Sequence, residues 1–223
     1  MPKYVSDAME MLVIPAVGTG KPGRARGGYL WLWKKSRNAC DVVVDVSFPS
    51  VKWDMGGEGW MRVVGIYRGP EEGYDWWDRL DSAMRLYEKE KCLFVGDVNC
   101  WIGVGNSCVL GDCWLADERE VIDGRVNKQG RSFLRVLEDN DGVVLNGRSH
   151  SDTPAKITYA SGGGSSTIDM AWVGREMVGE VLDFLVLDEV LSDHFPILVC
   201  IKDVGLVEDL GDRGEMVVEE YEG

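Results

Sequence analysis

Eight short apolar runs of strand type, separated by polar or glycine-containing turns, dominate this sequence. They cover residues 28–33, 41–48, 61–67, 92–95, 142–145, 167–173, 184–187 and 195–201. Only two stretches, 75–91 and 129–140, have the three- to four-residue apolar spacing of a helix. This order of segments excludes a helical bundle and predicts a mixed α/β domain with many antiparallel strand neighbours.

The region between the two helical stretches contains the longest part of the chain without a clear period. Residues 103–126 alternate neither as a strand nor as a helix, so they predict a long surface loop, a kind of segment that is often functional. A further helical turn is expected at 178–182.

Charge is distributed very unevenly over the 223 residues, a length that suits one domain or at most two small ones. The formal net charge is −14, and residues 203–223 alone hold eight acidic side chains against one arginine. We therefore expect a folded domain over 1–202 and an acidic, disordered tail over 203–223. Residues 21–38 hold six basic side chains and no acidic one, and Lys21, Arg24 and Arg26 are among them. Such a segment can contact phosphates, although a solvated turn before a strand explains it equally well.

The cysteines and the apolar runs of the sequence indicate in which cellular compartment the protein is found. The six cysteines form no C-x-x-C pair, and with only two histidines a closed zinc site is hard to assemble, so we expect reduced thiols. No apolar run approaches the roughly 18 residues of a membrane span. The first apolar stretch follows acidic residues and contains Pro15, unlike a secretory signal. The sequence predicts a soluble, intracellular protein of the cytoplasm or nucleus, without a membrane partner.

Candidate chemistry is concentrated where three apolar runs begin or end. The run F-V-G-D-V-N delivers Asp97 and Asn99, which could hold a water and a phosphate oxygen, although an Asx-turn is the commoner explanation. In S-S-T-I-D-M-A-W-V, strand alternation puts Met170 and Trp172 on one face and Asp169 on the other. An acid inside an apolar strand is usually paired or functional, unless it lies on a solvated edge.

The third candidate is S-D-H-F-P, where Asp193 and His194 precede an apolar strand. An adjacent Asp-His pair alone is more often a turn than a site. The other histidine, His150, has no comparable setting, and we interpret it as a surface residue.

Taken in order, these motifs resemble the endonuclease/exonuclease/phosphatase superfamily. The matching residues are G-D-V-N at 96–99, S-T-I-D at 166–169, S-D-H-F-P at 192–196 and Tyr67 in V-G-I-Y-R-G-P. The segments I-P-A-V-G-T-G-K-P-G-R-A-R-G-G and G-V-V-L-N-G are more similar to the endonuclease domain of LINE-type, non-LTR retrotransposons. The resemblance covers roughly residues 10–201. It implies a four-layer α/β/β/α sandwich, in which two packed mixed β-sheets are flanked by helices.

The resemblance also implies a role for each matching residue. Asp97 would orient or deprotonate the attacking water, Asn99 would bind the scissile phosphate, and Tyr67 would donate its hydroxyl to that phosphate. Asp193 would help to hold Mg²⁺ or Mn²⁺, and His194 would contact phosphate with its orientation fixed by Asp169. Carboxylate and amide oxygens suit these hard cations.

The sequence departs from the family pattern at its start. The family opens with a strand carrying an asparagine and a second strand ending in Q-E, whose glutamate is a principal metal ligand. This chain opens at M-P-K-Y-V, and Glu10 lacks the preceding apolar strand, so it is not a replacement. We therefore expect the first one or two strands to be missing and metal binding to be weakened.

Three functions are consistent with these features. The first is metal-dependent phosphodiester hydrolysis on nucleic acid, with DNA as the expected partner and a reverse transcriptase domain in a longer parent protein. The second is an inactive relic, or a binding module that keeps the fold. The third is a phosphatase of the same superfamily acting on a phospholipid or inositol phosphate. The retrotransposon-like segments favour nucleic acid over the third function.

Overall fold

The computed structural model describes residues 9–16, 27–35, 39–45, 47–55, 59–111, 113–189 and 192–202. The strands in these ranges are β1 (Met9–Ile14), β2 (Tyr29–Lys34), β3 (Ala39–Val43), β4 (Ser50–Asp54), β5 (Trp60–Tyr67), β6 (Lys91–Asp97), β7 (Gly142–Val144), β8 (Tyr159–Ser161), β9 (Gly164–Ser166), β10 (Asp169–Gly174), β11 (Val181–Val186) and β12 (Ile197–Ile201). The α-helices are α1 (Asp75–Leu86) and α2 (Lys128–Asp139), and 3₁₀ turns cover His150–Asp152 and Arg175–Glu180.

A six-stranded mixed sheet with the order β3-β4-β5-β6-β10-β7 forms the centre of the described structure. β5 and β6 run parallel and are connected through α1, whereas the other neighbouring strands of this sheet are antiparallel. β1–β2, β8–β9 and β11–β12 each form an antiparallel ribbon. The predicted mixed α/β architecture of packed sheets with flanking helices is confirmed. The expected absence of initial strands stays a prediction.

Both α-helices pack against one face of the six-stranded sheet. The apolar stripe predicted for α1 is buried there through Trp76, Leu80 and Met84. α2 begins at Lys128, and the preceding Asn127 caps its first turn, because the Asn127 side chain accepts the backbone N–H of Gly130 at 2.7 Å. The helices share one core with alternate residues of β5, β6 and β10, which fixes the direction of every other side chain in those strands.

The opposite face of the sheet is covered by β2 and by the β11–β12 ribbon. Val63, Leu93 and Ala171 point to this side and share a second core with Phe184 of β11. Gly65 of β5 allows β2 to approach closely, because a Cβ at this position would lie 2.9 Å from the ring of Trp31. The polar residues at the ends of the central strands therefore lie beside a packed second layer.

Two buried arginines hold the long loop 103–126 in place. Arg119 donates to the carbonyl oxygens of Gly103, Gly105 and Asn146 at 2.8–2.9 Å. Arg148, which is 1% exposed, connects two parts of the loop. It donates to the carbonyl oxygens of Asn106, Ala116 and Asp117. The described residues of this loop, 103–111 and 113–126, thus form no helix or strand, and buried hydrogen bonds fix them in place.

Several predicted boundaries were wrong. The predicted strand 41–48 ends at Val43, because the Asp45 carboxylate accepts the N–H groups of Ser47 and Phe48 at 2.6 and 3.2 Å and forms a turn. Helix α1 ends at Leu86, since the chain must turn before β6 starts at Lys91. The turn expected at 178–182 is a 3₁₀ segment that ends at Glu180, after which β11 begins. Strands β1, β4, β8 and β9 were not predicted.

Other expectations concern cysteines and membranes. All six cysteines lie within the described residues, where none of them forms a disulfide bond. In the described part of the chain, none of the helices has the length and apolar composition needed to cross a bilayer. His150 is exposed, which agrees with its interpretation as a surface residue. The acidic segment 203–223 lies outside the described residues.

Replacing Arg148 by methionine should destabilise the protein strongly, because several partly buried carbonyl groups lose their donor. We expect the free energy of unfolding to fall by about 3 kcal/mol or more, measured from urea unfolding curves. Arg79→Met on the exposed side of α1 is the matched control and should cost less than about 1 kcal/mol. Equal losses in the two variants would show that Arg148 does not hold the loop.

Candidate active site

Three polar side chains form a row across the ends of β5, β6 and β10. Tyr67 pairs with Asp97 in the parallel register, and Asp97 pairs with Asp169 in the antiparallel register. Neighbouring strands are about 4.8 Å apart, so this register brings the three side chains together. The preceding row, which includes Ile66 and Met170, belongs to the core under the helices, and the polar row therefore points to the opposite face.

Glycine at position 96 allows the end of β6 to adopt this arrangement. Gly96 has a φ of 147°, and a Cβ there would lie 1.9 Å from the carbonyl oxygen of Ile66. Any other residue would be strained and would push β6 away from β5. The close approach places Asp97 directly beside the end of β5, where the backbone N–H of Arg68 donates to the Asp97 carbonyl oxygen at 2.8 Å.

Asn99 completes a tight turn around the Asp97 carboxylate. Its backbone N–H and its side-chain amide donate to the two carboxylate oxygens at 2.9 and 2.7 Å. The same amide also donates to the carbonyl oxygen of Arg68 at 2.8 Å. Asn99 has a φ of 48°, a conformation that asparagine tolerates better than most residues. The Asx-turn considered from the sequence is present, and it orients Asp97 within the row.

His194 approaches Asp169 from the segment before β12. Its Nδ1 lies 3.0 and 2.9 Å from the two Asp169 carboxylate oxygens, and its ring packs against Tyr159 with centroids 4.9 Å apart. The backbone N–H of His194 donates to Ser192 Oγ at 3.0 Å, which fixes the turn. This contact brings together two residues that are 25 positions apart in the sequence.

The electrostatics of this cluster are dominated by buried acidic groups. Burial, together with the charge of Asp169, raises the pKa of Asp97 to about 7. Burial also raises the pKa of Asp169, although the hydrogen bond with His194 acts in the opposite direction. Burial alone would lower the pKa of His194, but the hydrogen bond with Asp169 and the nearby acidic charges outweigh it, so this pKa is raised. Groups with such shifts are candidates for proton transfer.

Asp97, Asp169 and His194 could also hold a metal ion. Their ligand atoms all lie within 4.8 Å of one another. Asp193, the ligand implied by the family resemblance, is exposed and immediately precedes His194, and its carbonyl oxygen accepts the N–H of Ala160. Among the described residues, the group of converging ligand atoms does not include the Asp193 carboxylate.

Two buried residues behind the row were not identified as part of the site. Thr158 Oγ1 accepts the backbone N–H groups of Ile168 and Asp169 at 3.0 and 2.9 Å. Asn146 donates to the Asp169 carbonyl oxygen at 3.1 Å and accepts the N–H of Ala171. An asparagine within the apolar G-V-V-L-N-G run was a usable signal, whereas nothing in the sequence around Thr158 distinguishes it.

The structure thus brings Tyr67, Asp97, Asn99 and the Asp169–His194 pair to one edge of the sheet. The predicted phosphate-contacting residues Lys21, Arg24 and Arg26 lie outside the described residues.

Without metal, the protein should become more stable as pH falls from 8 towards 5.5. The pKa of Asp97 is above its ordinary value in the folded chain, so ionising this carboxyl costs stability at high pH. Protonation of His194 contributes in the same direction, because its pKa is also raised by folding. Asp97→Asn should remove about 2 kcal/mol of this pH dependence, measured by urea unfolding in EDTA. Glu138→Gln changes an exposed acid and should leave the pH dependence of the free energy of unfolding unchanged. If Asp97→Asn also leaves this pH dependence unchanged, Asp97 is not the group with the raised pKa.

Comparison with known proteins identifies the fold. The sequence itself matches no protein-family model and no curated protein. The endonuclease domain of TRAS1, a telomere-specific non-LTR retrotransposon, superimposes with a TM-score of 0.60 at 15% identity, over 86% of this chain and 80% of that one. The 3′-5′ exonuclease NExo from Neisseria meningitidis gives 0.56 at 15% identity, over 87% and 80%. The AP endonuclease LMAP from Leishmania major gives 0.57 at 12% identity, over 86% and 70%. This chain has the fold of the endonuclease/exonuclease/phosphatase superfamily.

Proposed function

We propose that this protein hydrolyses phosphodiester bonds in nucleic acid with the help of a divalent metal ion. The observation that carries the proposal is the convergence of Asp97, Asn99 and the Asp169–His194 pair at one edge of the sheet. The structural neighbours are described as nucleases, and a second NExo structure as a 3′ phosphatase bound to a DNA hairpin. These descriptions favour DNA as the partner.

In hydrolysis a positioned water bonds to phosphorus while the P–O bond to the leaving strand breaks, and donors must stabilise the charge that develops on the phosphate oxygens. Asp97 lies beside Asn99 and Tyr67, and in its ionised form this carboxylate would take the proton from the attacking water. Asp169 lies 2.9 Å from His194 Nδ1 and fixes the orientation of the imidazole, and the same contact raises the pKa of His194, which favours a protonated ring that would contact phosphate. Asn99 and Tyr67 would contact the same phosphate from the ends of β6 and β5.

The ligand atoms of Asp97, Asp169 and His194 suit Mg²⁺ or Mn²⁺. Two carboxylates are forced together in a partly buried site, and their mutual repulsion contributes to the raised pKa of Asp97. A divalent cation would relieve that repulsion, and oxygen ligands suit it. Asp193 would add a further carboxylate from the solvent side. The bound ion would supply positive charge to the phosphate oxygens.

Contacts beyond the scissile phosphate would come from the basic segment. Lys21, Arg24 and Arg26 would bind neighbouring phosphates, and such contacts weaken as salt is added. The resemblance to retrotransposon endonucleases extends the proposal to a longer parent protein with a reverse transcriptase domain. A role on DNA would place the protein in the nucleus, or in the cytoplasm before import.

Removing the His194 imidazole should abolish most activity. We expect His194→Ala to slow nicking of supercoiled plasmid in Mg²⁺ or Mn²⁺ by about 100-fold or more, because the donor to the phosphate is lost. His150→Ala is the matched control, since His150 is the only other histidine and is exposed. Equal nicking by His194→Ala and wild type would remove His194 from the mechanism. A wild-type chain that binds DNA but nicks none with either ion would favour the binding module instead.

Metal binding should be measurable without any reaction. At a Mg²⁺ concentration ten times the Kd, the bound ion should stabilise the fold by about 1.4 kcal/mol, which raises the Tm by about 3–5 °C. Asp193→Asn should reduce this increase by weakening the site, whereas Asp188→Asn, an exposed acid outside the row, should not. Identical Tm increases in wild type and Asp193→Asn at all Mg²⁺ concentrations would exclude Asp193 as a ligand.

A further inference from the structure

A half-buried tryptophan, Trp101, and an exposed arginine, Arg125, stack on each other in the segments that flank the candidate active site. Trp101 follows Asn99 by two residues, and the guanidinium carbon of Arg125 lies 5.0 Å from the centre of a Trp101 ring. The Arg125 side chain is 55% exposed. The roles proposed above for the active site use neither residue.

The backbone of Trp101 is fixed against the start of α2. Its carbonyl oxygen accepts the N–H of Asn127 at 3.1 Å, and its own N–H donates to the Asn127 side chain at 3.4 Å. At Gly130 a Cβ would lie only 1.8 Å from the Trp101 carbonyl oxygen, so glycine is needed for this contact. The backbone that carries the indole is therefore rigid, and the indole Nε1 is buried without a hydrogen-bond partner among the described residues.

Arg125 is held by a carboxylate that is itself buried. The Asp123 side chain is only 5% exposed and accepts from Arg125 Nε and Nη2 at 2.7 Å each. Arg125 Nη2 also donates to the Ser165 carbonyl oxygen at 2.5 Å, and Asp123 accepts the N–H of Thr167 at 3.4 Å. These contacts hold the guanidinium over the Trp101 ring, and arginine readily packs on flat rings in this way.

Both residues of the stack are connected to the polar row through neighbouring residues of the chain. Trp101 continues from the turn that carries Asn99, and Ser165 and Thr167 lead directly into Asp169. Within the part of the chain that the structure describes, Arg125 Nη1 makes no hydrogen bond. The exposed outer side of the Arg125 guanidinium, backed by the Trp101 ring and with Nη1 as an available donor, thus lies in the segments that flank the polar row.

From this placement we propose that Trp101 and Arg125 form a stacking site for an unpaired nucleobase next to the scissile phosphate. The inference rests on the proposed function and specifies its substrate: a nucleic acid strand that is single-stranded or locally unpaired at the site of cleavage. A base can stack on an aromatic ring or on a guanidinium plane regardless of its identity, and the arginine adds attraction to the nearby phosphate. A fully paired, undistorted base would not expose a face to this surface.

The test measures binding and stacking in EDTA, where no hydrolysis occurs. Single-stranded oligonucleotides carrying one 2-aminopurine are titrated with the protein, since stacking quenches the fluorescence of this base. Wild type should quench the probe and bind it better than a matched duplex. Trp101→Ala should weaken binding by about 10-fold and lose the quenching, because base–aromatic stacking contributes this much per base. Trp101→Phe should retain most of both effects, and Arg125→Gln should weaken binding.

Trp60→Ala is the matched control, because Trp60 is an exposed tryptophan at the opposite end of β5 from Tyr67. It should bind and quench as wild type does. If wild type nicks DNA but Trp101→Ala binds and quenches normally, the stacking site is wrong and the proposed function stands. If wild type neither binds nor nicks any nucleic acid, both are wrong. A Trp101→Phe variant that folds normally but behaves as Trp101→Ala would also contradict stacking.

Discussion

The register between β5, β6 and β10 is the constraint on which the candidate site depends. Tyr67, Asp97 and Asp169 are adjacent only because each is paired with the next across the sheet. Side chains alternate between faces with a period of two, so a shift of one residue would turn Asp97 into the core under the helices. The two apolar cores on either side of the sheet make that shift very unfavourable, since each would have to accept the other's residues. Hydrophobic packing thereby fixes the geometry of a polar site.

Burying two carboxylates in this row is costly, and the structure compensates only part of the cost. Asn99 and the backbone satisfy Asp97, and His194 satisfies Asp169, yet the pKa values of both acids remain raised. Buried carboxyl groups with raised pKa values are typical of sites that bind a cation or transfer a proton. Thr158 and Asn146 hold the Asp169 backbone from behind, so the arrangement is preorganised.

Much of this site could be predicted from local patterns. The alternation of side chains along a strand correctly put Asp169 on the face opposite Met170 and Trp172, which belong to the core under the helices. The pairing of His194 with Asp169 came from the family resemblance, since no local rule connects residues that far apart. The glycine- and serine-rich ribbon β8–β9 was missed because its composition lacks apolar alternation. Buried Arg119 and Arg148 could not be predicted either, because arginine in a polar loop is normally solvated.

The central claim is that a divalent metal binds at the row containing Asp97 and Asp169, next to His194. The chain has only two histidines, and His150 is exposed and outside the row, so it serves as an internal reference. Nuclear magnetic resonance of the labelled imidazole rings during titration with paramagnetic Mn²⁺ tests the claim directly. We predict that the His194 resonances broaden at Mn²⁺ concentrations that leave His150 sharp, and that excess Mg²⁺ restores them. Equal broadening of both histidines, or no broadening of His194 at millimolar Mn²⁺, would contradict a metal site at this position.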